Sequence, residues 1–328
     1  MADKWCSTLG NDTTGDGSEG NPYATPQKCL TTLSSVAAWD TNNVYVVPDG
    51  TYVLTSSIVN KSGTNIRSSV PGTKAVLDFS TSGGSDGIVN NAVFARQIDL
   101  DIRDANVWGI DSNFNANINV TDCIIRSCTG GGVNMGSGAG DTLCQRVIVD
   151  GCGGTGIQGS SSGRVEACEV RNHSGLNGIT GLVIENCVVA GNTFSSHAYE
   201  AAGATVARSC IAQDNTTTGY GFPSSLTTSY CNSYSSNPAV YHQAGNFQGG
   251  AGANDIEEDS QFTDLAGDDF TLQSGSPCIG AGDPASTTVT DLAGNEFDSP
   301  PSQGAYEFLG GPTSPYPAGW IPTLFLAP

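Results

Sequence analysis

Arg103, Arg126, Asp150 and Arg171 recur through the middle of the chain at intervals of 23, 24 and 21 residues, and Asp99, Asp101 and Asp122 fall in the same stretch. Cations beside carboxylates suit the removal of a proton next to a carboxylate. A divalent ion held on Asp or Glu neutralises the substrate, and a Lys or Arg takes the proton. Asp99, Asp101 and Asp122 are therefore candidate Ca²⁺ ligands. Arg103 or Arg126 is the candidate base, with Asp150 and Arg171 next along the row. An arginine base at neutral pH needs strong local help, because the guanidinium holds its proton tightly. The simpler reading of Arg126, Asp150 and Arg171 is an exposed salt-bridge ladder, worth a fraction of a kcal/mol per pair. Glu166 and Glu185 form a further carboxylate pair of the kind used in glycoside hydrolysis.

Whether these side chains meet depends on the repeat that carries them. Leu100, Cys123, Val147, Cys168, Cys187 and Cys210 recur at steps of 23, 24, 21, 19 and 23 residues, a mean of 22. Two residues on, Ile102, Ile125, Val149, Val170, Val189 and Ala212 repeat the apolar pattern. Strand side chains alternate faces, so both rows point into one core. About ten residues after the first row the chain turns through glycine into an apolar residue, as in Gly132-Val133 and Gly156-Ile157. A period of this length with short strands predicts an all-β, single-stranded right-handed parallel β-helix of about 22 residues per coil. The Leu/Asn consensus of a leucine-rich repeat is missing.

Equal positions in successive coils lie above one another, so Cys168, Cys187 and Cys210 are expected to stack, with Cys231 above them. The cysteines number 11, an odd count, and they read as small reduced hydrophobes. Parallel Cβ vectors fit disulfide geometry poorly; Cys6 and Cys29 are the pair least excluded as a bridge. Five residues after the first row stand Ala105, Cys128, Cys152, His173, Asn192 and Asn215, where stacked Asn can hydrogen-bond from coil to coil.

Composition removes several function classes. The 328 residues carry 12 Lys plus Arg against 32 Asp plus Glu, a net charge of −20, which argues against nucleic acid and anionic membrane surfaces as partners. No apolar run of about 18 residues is present, so membrane insertion is not expected. The start, MADKWCSTLGND, lacks the basic and apolar regions of a signal peptide, and synthesis in a host cytoplasm is the expectation. His173, His197 and His242 are too far apart in the repeat to share a metal. The Gly-rich stretch 129–141 lacks the Gly-Lys-Ser/Thr of a phosphate loop.

The opening GNDTTGDGSEGNPYATPQKCLTTL (10–33) resembles the first segment of pectate-lyase-like right-handed β-helix proteins, in which a Gly/Asp-rich loop and an NPYAT turn lead into a helix capping the first coil. The closing stretches DSQFTDLAGDDFTLQSGSPCIGAGD (259–283), DLAGN (291–295) and QGAYEF (303–308) resemble the terminal coils of bacterial β-helix proteins that carry a choice-of-anchor domain. The resemblance covers roughly residues 5–308 and implies a fold, not an activity, since polysaccharide lyases, glycosidases, adhesins and phage spikes share it. Two departures bear on activity. Lys4, Lys28, Lys61 and Lys74 are the only lysines, so the central coils lack the lysine base of several lyase families. The paired-Asp and Gly-His-Gly signatures of polygalacturonase-like hydrolases are also absent.

The expected organisation is an N-terminal loop and capping helix over 1–40, the β-helix over 41–308 and an irregular Pro-rich tail over 309–328. Apolar spacing over 25–39 predicts the cap helix. Between the buried rows, Ile124, Ile148, Val188 and Ile211 form an outward apolar stripe spanning about 20 Å. Such a stripe marks either a face covered by the chain's own loops or tail, or a subunit contact; Trp320 and Phe325 of the tail are candidates for the same contact. A homotrimer is the expected oligomer. The leading functional expectation is a non-enzymatic structural or adhesion protein, most plausibly a phage virion spike, fibre or decoration protein that touches other virion proteins or a cell-surface polysaccharide and needs no cofactor. The alternative is a secreted or cell-surface polysaccharide lyase or glycoside hydrolase acting on acidic polysaccharide, with Ca²⁺ for the lyase.

Overall fold

Each coil places short β-branched runs between residues that tolerate a left-handed backbone, so the chain forms short strands joined by sharp bends. In the computed structural model these strands stack in parallel into an all-β right-handed solenoid of about eight turns, with about 23 residues per turn. That hand is the one parallel crossovers almost always take. The structure describes residues 2–310 except 37, 92, 113–116, 137–139, 161, 244 and 253.

Three faces enclose the core. Face 1 runs from the strand Ala2–Cys6 through Asn42–Val46, Thr64–Ser68, Ala95–Ile98 and Ile118–Thr121 to Leu143–Gln145, Arg164–Glu166 and beyond. Face 2 stacks nine strands, among them Leu100–Arg103, Ile124–Arg126, Ile148–Asp150, Glu169–Arg171, Val188–Ala190 and Ile211–Gln213. Face 3 includes Trp108–Asp111, Gly131–Asn134 and Ile157–Gln158. On face 2, Asp101, Ile124, Ile148, Glu169, Val188 and Ile211 pair in register, as the repeat predicts. Bends between faces 2 and 3 place Asp104, Ser127, Gly151, Asn172, Gly191 and Asp214 at positive φ, where small polar residues and glycine are tolerated best. The Gly132 and Gly156 row has a different cause from the turn expected. These glycines keep negative φ, but a Cβ at Gly132 would stand 2.5 Å from the Gly156 carbonyl oxygen and one at Gly156 would stand 2.6 Å from that of Gly178.

The column of cysteines is as expected: all eleven are free and buried, and Cys6 and Cys29 form no bridge. Cys168 Sγ lies 3.9 Å from Cys144 Sγ, and burial pushes the Cys123 thiol up to about 12. Beside it runs the amide ladder. Asn192 accepts from His173 N (2.9 Å) and donates to Asn215 Oδ1 (3.0 Å), and Asn215 Nδ2 lies 3.3 Å from His242 Nε2.

The N-terminal end differs in part from expectation. The helix Pro26–Thr32 has Thr25 as its cap, accepting from Lys28 N at 3.2 Å, and buries Cys29 and Leu30. It stops before Val36, which is exposed. Residues 2–6 are a strand rather than loop, pairing in parallel with Asn42–Val46, so face 1 begins inside the segment assigned to loop and cap.

Of the two forms expected for the apolar stripe, the structure shows the face covered by the chain itself. Ile124, Ile148, Val188 and Ile211 are all at most 5% exposed. Residues 256–308 lie across them as a strap, with Phe262, Phe270, Leu272, Cys278, Leu292, Ala305 and Tyr306 closing a second apolar core outside the solenoid. Burying each aliphatic side chain stabilises by about 2 kcal/mol over leaving it wet, which is reason enough for the strap to seat. Gly304 (φ +91) crosses closest: a Cβ there would meet Ile211 Cδ1 at 2.8 Å and Val188 Cγ2 at 3.0 Å. The stripe is thus an internal surface and not a subunit contact. Trp320 and Phe325 lie outside the described residues.

Candidate functional site

The charged row of face 2 follows from strand alternation, which turns every second side chain away from the solenoid core. Arg103 Nε and Arg126 Nε both reach Asp101 Oδ1 at 3.1 Å. The hydrogen bond to Asp101 raises the Arg103 guanidinium further, which holds the proton a base must give up. One coil on, Asp150 Oδ2 lies 3.2 Å from Arg171 Nη2, and Arg171 Nη1 reaches Glu169 Oε1 at 2.9 Å. The row is therefore an ion-pair ladder, but not an exposed one: Arg126 and Arg171 are 9% and 6% exposed.

Arg171 and Glu169 sit beneath the strap. Tyr306 Oη donates to Glu169 Oε2 at 2.7 Å, and the Asp268 carbonyl faces Arg171. Burial raises the Glu169 carboxyl to about 7 despite Arg171 and Tyr306, which pull it down. Burial also disfavours the charged form of Arg171, yet Glu169 and Asp150 outweigh it and the net shift is upward.

The three Ca²⁺ candidates do not share one cage. Asp99 pairs with Lys74 at 3.3 Å, Asp101 with the two arginines, and Asp122 with Arg146 at 2.7 and 2.8 Å. Asp99 and Asp122 both occupy bends at positive φ, a conformation that favours Asp for its own sake. Among the described residues no group of three His, Cys, Asp or Glu side chains is placed to hold a metal, so these carboxylates do not fit the ion that a lyase reading implies. Glu166 and Glu185 do stack on adjacent coils, but Arg164 bridges both. Arg208, Thr287 and Thr288 are further partners of Glu185, which is fully buried. Of the histidines, His173 and His242 belong to the amide ladder, and His197 pairs with Glu200 at 2.8 Å.

A patch that the repeat did not reveal lies at the N-terminal end of face 1, where the first strand is bordered by the loop that brings Gly17 and Tyr23 against Trp5. Trp5, Tyr45 and Arg67 are register partners on three successive strands. Trp5 and Tyr45 stack with centroids 4.4 Å apart, and the Arg67 guanidinium lies 5.9 Å from the Tyr45 centroid. All three are half-buried. Beside them Arg96 covers Trp39 at 4.7 Å and holds Asp40 at 2.7 and 2.9 Å. The signal was the alternation in KWC, VYV and IRS, but a register begun at Leu100 stops short of it.

No family model matches the chain, and no curated protein matches it. Among solved structures, pectate lyase Pel9A superposes with a TM-score of 0.59 over 94% of this chain and 96% of that one, at 15% identity. A rhamnogalacturonan lyase aligns with a TM-score of 0.43 over 81% of this chain and 91% of that one, at 11% identity. What is shared at this identity is the pectate-lyase-like β-helix fold.

Proposed function

We propose that this parallel β-helix is a non-catalytic recognition protein of the adhesion class, which presents a rigid surface to a polysaccharide. One observation carries the reading: the charged groups that the sequence offers as base, acid or metal ligand are held in ion pairs within the chain. Arg103 and Arg126 share Asp101, Arg171 lies under the strap between Asp150 and Glu169, and Glu166 and Glu185 are clamped by Arg164. A proton acceptor must be free to reach substrate, and each of these groups is instead engaged with a partner of opposite charge. A place in a virion spike, fibre or decoration, and a trimer, are finer forms of this proposal, and the buried stripe takes no part in them.

The second reading, a polysaccharide lyase, is favoured by the fold likeness to pectate lyase Pel9A. Incubation with pectate and other acidic polysaccharides, with and without Ca²⁺, separates the two. The expected result is retention on polysaccharide without release of unsaturated or reducing ends. Release that Arg126→Ala abolishes would overturn the recognition reading.

A further inference from the structure

Arg67 differs from every other arginine of the chain. Arg96, Arg103, Arg126, Arg146, Arg164, Arg171 and Arg208 each hold a carboxylate; among the described residues Arg67 holds none, and its buried Nε has no hydrogen-bond partner. In a chain of net charge −20, a cation left without a carboxylate is notable because acidic groups are abundant. Its guanidinium lies over the Tyr45 ring, itself stacked on Trp5. The column continues along face 1 through Ile98, Thr121 and Gln145 before it meets a carboxylate at Glu166. At about 4.8 Å per coil that leaves roughly 19 Å between Arg67 and Glu166. The strap reaches face 1 only farther along, where Thr290 meets Arg146 and Thr287 meets Arg164.

We propose that the strip Trp5, Tyr45 and Arg67 binds an acidic saccharide. The half-buried stack of Trp5 and Tyr45 offers apolar ring edges to a sugar, and Arg67, over the Tyr45 ring, pairs in a fork with the sugar's anionic group. The other arginines already hold a carboxylate of the chain. This assignment rests on the recognition reading above and adds to it a place and a ligand chemistry. A carboxylate and a sulfate ester both fit the guanidinium fork, and the test distinguishes them.

The full chain is titrated calorimetrically with an oligogalacturonate, a sulfated chondroitin oligosaccharide and a neutral cello-oligosaccharide. Binding of one or both acidic probes but not the neutral one is expected. Arg67→Gln, checked for folding by circular dichroism, weakens it about tenfold or more, as does Tyr45→Ala. Should Arg67→Gln misfold, Arg67→Lys serves instead, since it keeps the charge, loses the fork and weakens binding measurably. Unchanged affinity in the folded Arg67 variant overturns the assignment while leaving the recognition reading in place, and so does binding of the neutral probe alone. No binding of any probe overturns the assignment, and cleavage of a probe overturns the recognition reading itself.

Discussion

At the scale of the residue, Glu169 is the group whose environment most changes its chemistry. It is fully buried, bonded to Arg171 and Tyr306, and its carboxyl is raised from the usual 4.5 to about 7. Because the folded state binds the proton more tightly than the unfolded state, the stability Glu169 contributes is complete below about pH 4.5. It is lost as pH rises through about 7, by about 3 kcal/mol in all. Denaturant titrations across this range should show that decline in the unaltered protein and a flatter profile in Glu169→Gln; equal slopes would contradict the assignment of the effect to Glu169. The same cluster shows why residue types alone misled. Arg171, Arg126 and Asp101 read equally well as catalytic tools or as ladder rungs. Their partners decide, and Tyr306 stands 137 residues from Glu169.

At the scale of the element, the strands of face 2 were legible and their surroundings were not. Period and alternation placed Ile124, Ile148, Val188 and Ile211 outside the solenoid, and the pairing agrees. Alternation says which side a side chain leaves by; it does not say what covers that side. The covering segment has little regular structure beyond a hairpin of Phe262–Asp264 with Asp269–Leu272, so no periodicity announced it. The consequence is testable. Ile211→Asp buries an unpaired charge between solenoid and strap, and should destabilise the chain by about 3 kcal/mol or more, seen as a lower denaturation midpoint. A variant with wild-type stability but a smaller mass in light scattering would mean that the stripe is an oligomer contact after all.

At the scale of the whole molecule, the solenoid supplies rigidity and the strap determines which surface is available. One core lies inside the coils and a second between face 2 and the strap. Polar clamps hold the strap's flanks: Asp283 to Ser229 at 2.7 Å, Gln213 to Asp259 at 2.9 Å, and Ser286 to Asn186 at 2.7 Å. With the stripe of face 2 covered by the strap, the N-terminal end of face 1 is the surface proposed above for recognition. The fold was legible because each coil repeats the same instruction, whereas the aromatic strip occurs once and the strap's contacts join residues about a hundred apart. The most direct measurement of the account is the modification rate of Cys278, which is fully buried between strap and solenoid, 3.3 Å from Asn232 Nδ2, relative to Cys187 inside the coils. Pulse labelling of the native protein with a thiol reagent and mapping by mass spectrometry should find both cysteines protected alike, reacting only at the rate of global unfolding. Rapid labelling of Cys278 with Cys187 still protected would show that the strap lifts and face 2 opens, contradicting the closed, non-catalytic surface.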